Sequence, residues 1–299
     1  MQSTQYSISS TSDATSRGGP SSAGPSTPSQ KFNFHPDFSD QDGDVVLASK
    51  DCTMMFRTHS YTLKTTSGFF RSIDVPKPSE VVYLNDRADV LEHLLRMVSG
   101  KPLLPLESSS VEAVLHAAET YEMPGPMSII RLAVTTAPLA DNPLQMYAIC
   151  TRYDWEKEAK LFSARSLSCN LHDPGHRATL ERLSASALLD IFALHHTRRE
   201  CLKKRLNDSP FVSGGPAICI QCQGRIEYQT WRELKYRIIF EMEERPLGDT
   251  ILPGLSEWPE AAACWQAVCP NITCHRRLYD KAETFRVIRE SIEQLPETV

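Results

Sequence analysis

Between Asp40 and Ile73 the chain reads DQDGDVVLASKDCTMMFRTHSYTLKTTSGFFRSI, and no other stretch limits its folding so closely. Asp40, Asp42 and Gly43 are turn formers that lead into Val45-Val46-Leu47. Ser49-Lys50-Asp51 turn the chain again, and Thr53 to Arg57 bring it back. Short apolar segments bounded in this way predict a β-hairpin. His59-Ser60 and Ser67 are then placed to cap two short helices, one from Tyr61 and one carrying Phe69, Phe70 and Ile73. Val46 and Phe69 are the predicted core residues here. Asp44 and His59 are polar residues within this apolar stretch, readable as a ligand pair or as satisfied capping or core groups, since a buried polar group must find a partner.

Around the hairpin, the aromatics at 32, 34 and 38 should pin the entering chain. Pro76 and Pro78 make a connector, and Val81-Val82-Tyr83-Leu84 reads as a third strand stopped by Asn85-Asp86. Asp89 is placed to cap a helix through Val98, Ser110 to Tyr121 reads as a second helix ended by Pro124-Gly125-Pro126, and Met127 to Thr135 as a third. Past Pro138–Pro143 the pattern is helical. Leu144–Tyr153 and Trp155–Leu167 form a helical hairpin, and Ser184–Leu206 offers Leu188, Leu189, Phe192 and Leu194 as core candidates.

The residues Asp44-Val45, Phe56-Arg57-Thr58-His59 and Leu63-Lys64-Thr65-Thr66-Ser67-Gly68-Phe69 resemble the BTB/POZ pattern. The wording DGDVVL and HSYTLKTTSGFF, with YAICTRYDWEKEAKLFSARSLS at Tyr147–Ser168, is similar to the expanded group of BTB-containing proteins of mushroom-forming (basidiomycete) fungi. The likeness spans about residues 34 to 290. It implies an α+β fold, a small BTB/POZ-like sheet flanked by helices and followed by a mostly helical extension. The implied function is that of a non-enzymatic adaptor for protein partners, through self-association as a homodimer or recruitment of a cullin ubiquitin-ligase scaffold. Leu84-Asn85-Asp86 resembles the hydrophobic-x-acidic contact of cullin-recruiting members. Leu84 and Asp86 are therefore the expected partner-binding residues, set against the plainer reading of an acidic turn before a helix N-terminus.

Four regions follow from these patterns: a disordered Ser/Pro-rich tail over 1–31, the BTB/POZ-like domain over 32–140, a helical extension over 141–210, and a cysteine-containing helical region over 211–299. The tail has too few apolar residues to offset the entropy of ordering. With 32 basic against 37 acidic residues in 299, the net charge of −5 argues against a primarily electrostatic nucleic-acid binder. The dense basic segment Arg198, Arg199, Lys203, Lys204 and Arg205 nevertheless supports an alternative, a nuclear nucleic-acid-linked regulator, beside the reading of a solvated helix end. No secretory leader or membrane span is visible, so the expected compartment is the cytoplasm or nucleus. Motifs of serine hydrolases, P-loops, dinucleotide folds and zincins are absent. A Cys201–His195 pair, six helical residues apart, does not share a helix face closely.

In a reduced compartment the nine cysteines point to free thiols or metal ligands. Cys219-x2-Cys222 is the strongest chemical spacing, because two thiolates on one tight turn can reach the same ion at ~2.3 Å. Tetrahedral closure then needs two more ligands, expected at Cys269 and Cys274, with Cys264 and His275 in reserve. The resembling group repeats a Cys-x2-Cys, a helix with Trp, an Arg-Pro and a second cysteine pair, which Trp231, Arg245-Pro246 and Cys269-Pro270 fit. A structural zinc in a small C-terminal unit is the expected cofactor, set against the alternative that these are small buried apolar residues.

Overall fold

Two apolar tetrapeptides, Val45–Ala48 (β2) and Met55–Thr58 (β3), pair antiparallel in the register Val45↔Thr58 to Ala48↔Met55 and form the predicted hairpin. Every residue of β2 is buried, so the strand reads as a continuous apolar run. The cause is its central place: Val81–Tyr83 (β4) lies parallel to it on the other side, Val46↔Val81 to Ala48↔Tyr83. The computed structural model describes residues 8–9, 33–73, 81–211 and 216–299. The backbone of Ile8–Ser9 (β1) pairs antiparallel with β4. The rest of the tail over 1–31, Phe32 and the Pro76–Pro78 connector lie outside the described residues.

Two short helices follow the hairpin, Ser60–Thr66 (α1) and Gly68–Ser72 (α2). The cap of α1 comes from across the hairpin: Ser60 donates its N–H and Oγ–H to Asp44, at 2.6 and 2.5 Å. Both Asp44 and His59 face solvent, so they are not a buried pair, and the His59 side chain makes no cap bond. Ser67 caps α2 as expected, accepting the Phe70 N–H at 3.1 Å, and its hydroxyl donates to the Tyr121 carbonyl at 2.6 Å. Phe70, 1% exposed, is the core side chain of α2, whereas Phe69 is half-buried.

The unit closes with Ala88–Val98 (α3), Val111–Thr120 (α4) and Pro124–Ala133 (α5). Asp89 is not a cap; Arg87 holds that position and pairs with Asp89 in the first turn. Pro124 starts α5 instead of ending α4, because proline fits the first helical turn, where an N–H would lack an acceptor.

Residues Met1–Asp141 and Asn142–Val299 are separate compact units. The second contains Pro143–Arg152 (α6), Glu156–Ser166 (α7), Arg177–Leu180 (α8), Ala185–Arg205 (α9), the strands Pro216–Ile218 (β5) and Arg225–Glu227 (β6), then Gln229–Glu244 (α10), Ile251–Glu257 (α11), Pro259–Gln266 (α12) and Lys281–Glu293 (α13). The stretches read as 141–210 and 211–299 share one core, in which Leu202 and Leu206 meet Trp231, Leu234, Ile238 and Met242 of α10. The buried face of α9 is Ala187, Ile191, Leu194 and Leu202, while Leu189 is 70% exposed. Among the described residues no helix is long and apolar enough to cross a membrane.

Candidate metal centre

Two tight turns bring the four predicted cysteines together. In the first, the ribbon β5–β6 has the register Pro216↔Glu227, Ala217↔Ile226 and Ile218↔Arg225, and it leads directly into Cys219. Cys219 donates its N–H to the Gly224 carbonyl and accepts the Gln223 N–H at its own carbonyl, both at 2.8 Å. In the second, Cys269 donates its N–H to the Arg276 carbonyl at 2.8 Å beside the Val268↔Arg277 bridge. Asn271 shapes that turn through Oδ1, which accepts the Thr273 N–H and hydroxyl at 3.0 and 2.9 Å. The residue after each second cysteine is left-handed, Gln223 at φ 59° and His275 at φ 44°, which curls each turn back on its sulfurs. Gly224 is needed for room, since a Cβ there would sit 3.3 Å from Cys222 Sγ.

The ligand atoms of Cys219, Cys222, Cys269 and Cys274 all lie within 4.8 Å of one another. Cys219 Sγ is 3.8 Å from Cys274 Sγ, and Cys222 Sγ is 3.6 Å from Cys269 Sγ. A tetrahedron with ~2.3 Å metal–sulfur bonds has edges of ~3.8 Å, whereas a disulfide bond is ~2.05 Å, so the spacing is that of ligands around one ion. Backbone N–H groups of Cys222 and Gln221 aim at Cys219 and bring its thiol down to about 6. Cys269 also accepts a backbone N–H, at Asn271, but burial and sulfur neighbours push it up to about 12. The Cys219 thiol therefore ionises readily while Cys269 and Cys274 hold their protons, which a bound cation would displace. Cys219 and Cys269 are buried with Ile226, and Tyr228 and Leu278 pack against them. The centre can hold one metal ion.

The reserve ligands are elsewhere. Cys264 lies in the α9–α10 core, where burial raises its thiol to about 11, and His275 points to solvent. A second group, His35, Asp37 and Glu92, was not legible in the sequence because its members are far apart in the chain. Arg96 pairs there with both carboxylates, which makes it an ion-pair network built around an internal cation.

The expected partner residues are placed structurally. Leu84 is 5% exposed and its N–H extends the β-pairing to Ala48, while Asp86 accepts the Tyr121 hydroxyl. The Leu84 side chain lies in the core, and Asp86 is partly exposed. The basic segment is likewise divided. Arg198 is 2% exposed and donates to the carbonyls of Pro246, Leu247, Leu295 and Pro296 at 2.7–3.3 Å. Arg199 pairs with Glu243 and Lys203 with Glu200. Cys201 is exposed while His195 is buried against Ser166, so they form no nucleophile pair. The Ser166 hydroxyl donates to the Ser163 carbonyl at 2.6 Å, which leaves His195 Nε2–H as the donor to Ser166 Oγ at 3.1 Å. No family model and no curated protein matches this sequence.

Proposed function

We propose that this chain is a non-enzymatic protein–protein interaction adaptor, with a BTB/POZ-like module in Met1–Asp141 and a C-terminal unit stapled by a structural zinc. One observation carries the module: Asp44, Phe56, Leu63 and Ser67 of the resembling pattern hold one small sheet-and-helix unit together. Asp44 caps α1, Phe56 and Leu63 are fully buried, and Ser67 caps α2 while tying it to the end of α4. Hairpin, two short helices, a parallel third strand and three helices follow in the order that the resemblance implies. The association function rests on that resemblance, because a fold by itself hosts many functions.

Four sulfur donors at tetrahedral spacing favour zinc over the harder cations that prefer oxygen, and they leave no ligand position for a substrate. The reduced thiols suit a cytoplasmic or nuclear setting. Contact with a cullin scaffold, if made, uses residues other than Leu84, whose side chain is inside the core. The nucleic-acid alternative loses Arg198 to the interior and is not favoured.

The test is sedimentation of the full chain at micromolar concentration together with affinity capture from cells that express cullins. Dimer mass, or stoichiometric recovery of a cullin scaffold, is the expected result. A monomer that recovers no cullin would overturn the adaptor reading.

A further inference from the structure

Beside the metal centre, but not part of it, the C-terminal unit carries a cavity of about 220 Å³ lined by Pro210, Phe211, Tyr228, Trp231, Leu278, Tyr279, Asp280, Glu283 and Thr284. Four of these are aromatic. Phe211 and Trp231 lie parallel at 4.9 Å, forming one wall. Tyr279 is inclined by 33° to Trp231 at 6.2 Å, and Tyr228 by 52° to Tyr279 at 5.9 Å, so four rings at different inclinations line the cavity. The remaining charge at the cavity is negative. Among the described residues, Asp280 and Glu283 line it and no lysine or arginine does. The Asp280 carboxylate accepts the Glu283 N–H through Oδ1, and Glu283 pairs with the exposed Arg286. Lys281 turns away onto Phe285, 5.6 Å from its ring centre.

We infer that this cavity binds a methylated ammonium group. Ring faces carry the negative lobe of the aromatic quadrupole and attract cations, and the two carboxylates add charge complementarity. The volume exceeds that of a water, ~30 Å³, and falls below the ~300–1,000 Å³ of pockets for drug-sized ligands, which suits a small head group. An unmethylated ammonium would bring three N–H donors, and the ring faces of Phe211 and Trp231 offer no acceptor to any that point away from Asp280, Glu283 and Thr284. Methylation removes those donors and keeps the charge. The group can come from a methylated lysine of a protein or from a choline head group.

The inference is independent of what the N-terminal unit binds, and its test uses the full zinc-loaded chain. Tetramethylammonium chloride is titrated while the Trp231 indole resonance is followed, with 3,3-dimethyl-1-butanol as a neutral isostere of choline. Saturable shifts are expected, with the isostere weaker by ~5-fold or more. Tyr279→Leu and Glu283→Gln should each weaken binding by ~5-fold, and Glu283 lies on an exposed first turn, so its variant keeps the fold. A trimethyl-lysine peptide and phosphatidylcholine vesicles, run as separate arms, identify the source by which binds more tightly. No saturable shift, equal binding of the isostere, or parent-like binding by folded Glu283→Gln together with Tyr279→Leu would overturn the inference.

Discussion

Phe69 and Phe70 are neighbours in sequence and unequal in the structure. Phe70 is 1% exposed, whereas Phe69 is half-buried and touches Phe70 and Tyr121 edge-on or tilted. Phe70→Ala should therefore cost about 3–5 kcal/mol and unfold the N-terminal unit, while Phe69→Ala should cost about 1–2 kcal/mol, both measured by urea denaturation. Equal losses would place both rings in the core. His195 is the residue whose charge state the fold controls most clearly. Burial first, and then the nearby Arg198 and His172, bring its imidazole down to about 4. In the unfolded chain it titrates near ~6.5, so between those values the unfolded state binds the extra proton and stability falls as pH falls. The contribution is complete above pH ~6.5 and lost progressively towards pH 4, by at most about 3 kcal/mol. His195→Gln keeps an N–H donor for Ser166 and should flatten the difference in stability between pH 7 and pH 5. Parent and variant share the metal centre, so the comparison isolates the imidazole. The Cys-x2-Cys spacing and the Ser67 cap were legible in the sequence because both are local. The unequal burial of two adjacent phenylalanines was not, since a five-residue helix has too little periodicity to tell its faces apart.

At the scale of elements, two turns from distant parts of the chain supply one centre, and neither turn can complete a tetrahedron alone. Purified under reducing conditions, the protein should contain one zinc per chain. Cys222→Ser or Cys274→Ser should remove it and expose the ribbon β5–β6 and the second turn to proteolysis. Cys264→Ser should leave the zinc content at one per chain, because Cys264 belongs to the helix core. Zinc retained by Cys222→Ser, or lost from Cys264→Ser, would reassign the ligands. Elements also explain the fate of the basic segment. Its spacing suggested a solvated or phosphate-contacting face, but a helix of 21 residues turns its sides to several neighbours. Arg198 is on the side that meets the carbonyls at the end of α10 and the C-terminal residues, which are acceptors without a helical partner.

For the whole molecule, the division into Met1–Asp141 and Asn142–Val299 makes a prediction about metal removal. A chelator should lower the melting transition of the C-terminal unit by several degrees and leave that of the N-terminal unit in place, as read by calorimetry with assignments from the Phe70→Ala variant. A single transition that shifts as a whole would contradict two separately folding units. The sequence by itself determined the local features: the hairpin from its turn residues, the cap at Ser67, and a cysteine pair with metal spacing. Each depends on residues within a few positions of one another, where chain geometry leaves few choices. Tertiary structure alone decided that 141–210 and 211–299 share one core, that Leu84 and Arg198 turn inward, and which cysteines complete the set. Those outcomes depend on contacts between residues tens of positions apart, selected by the packing of apolar faces that single-chain periodicity identifies but cannot pair.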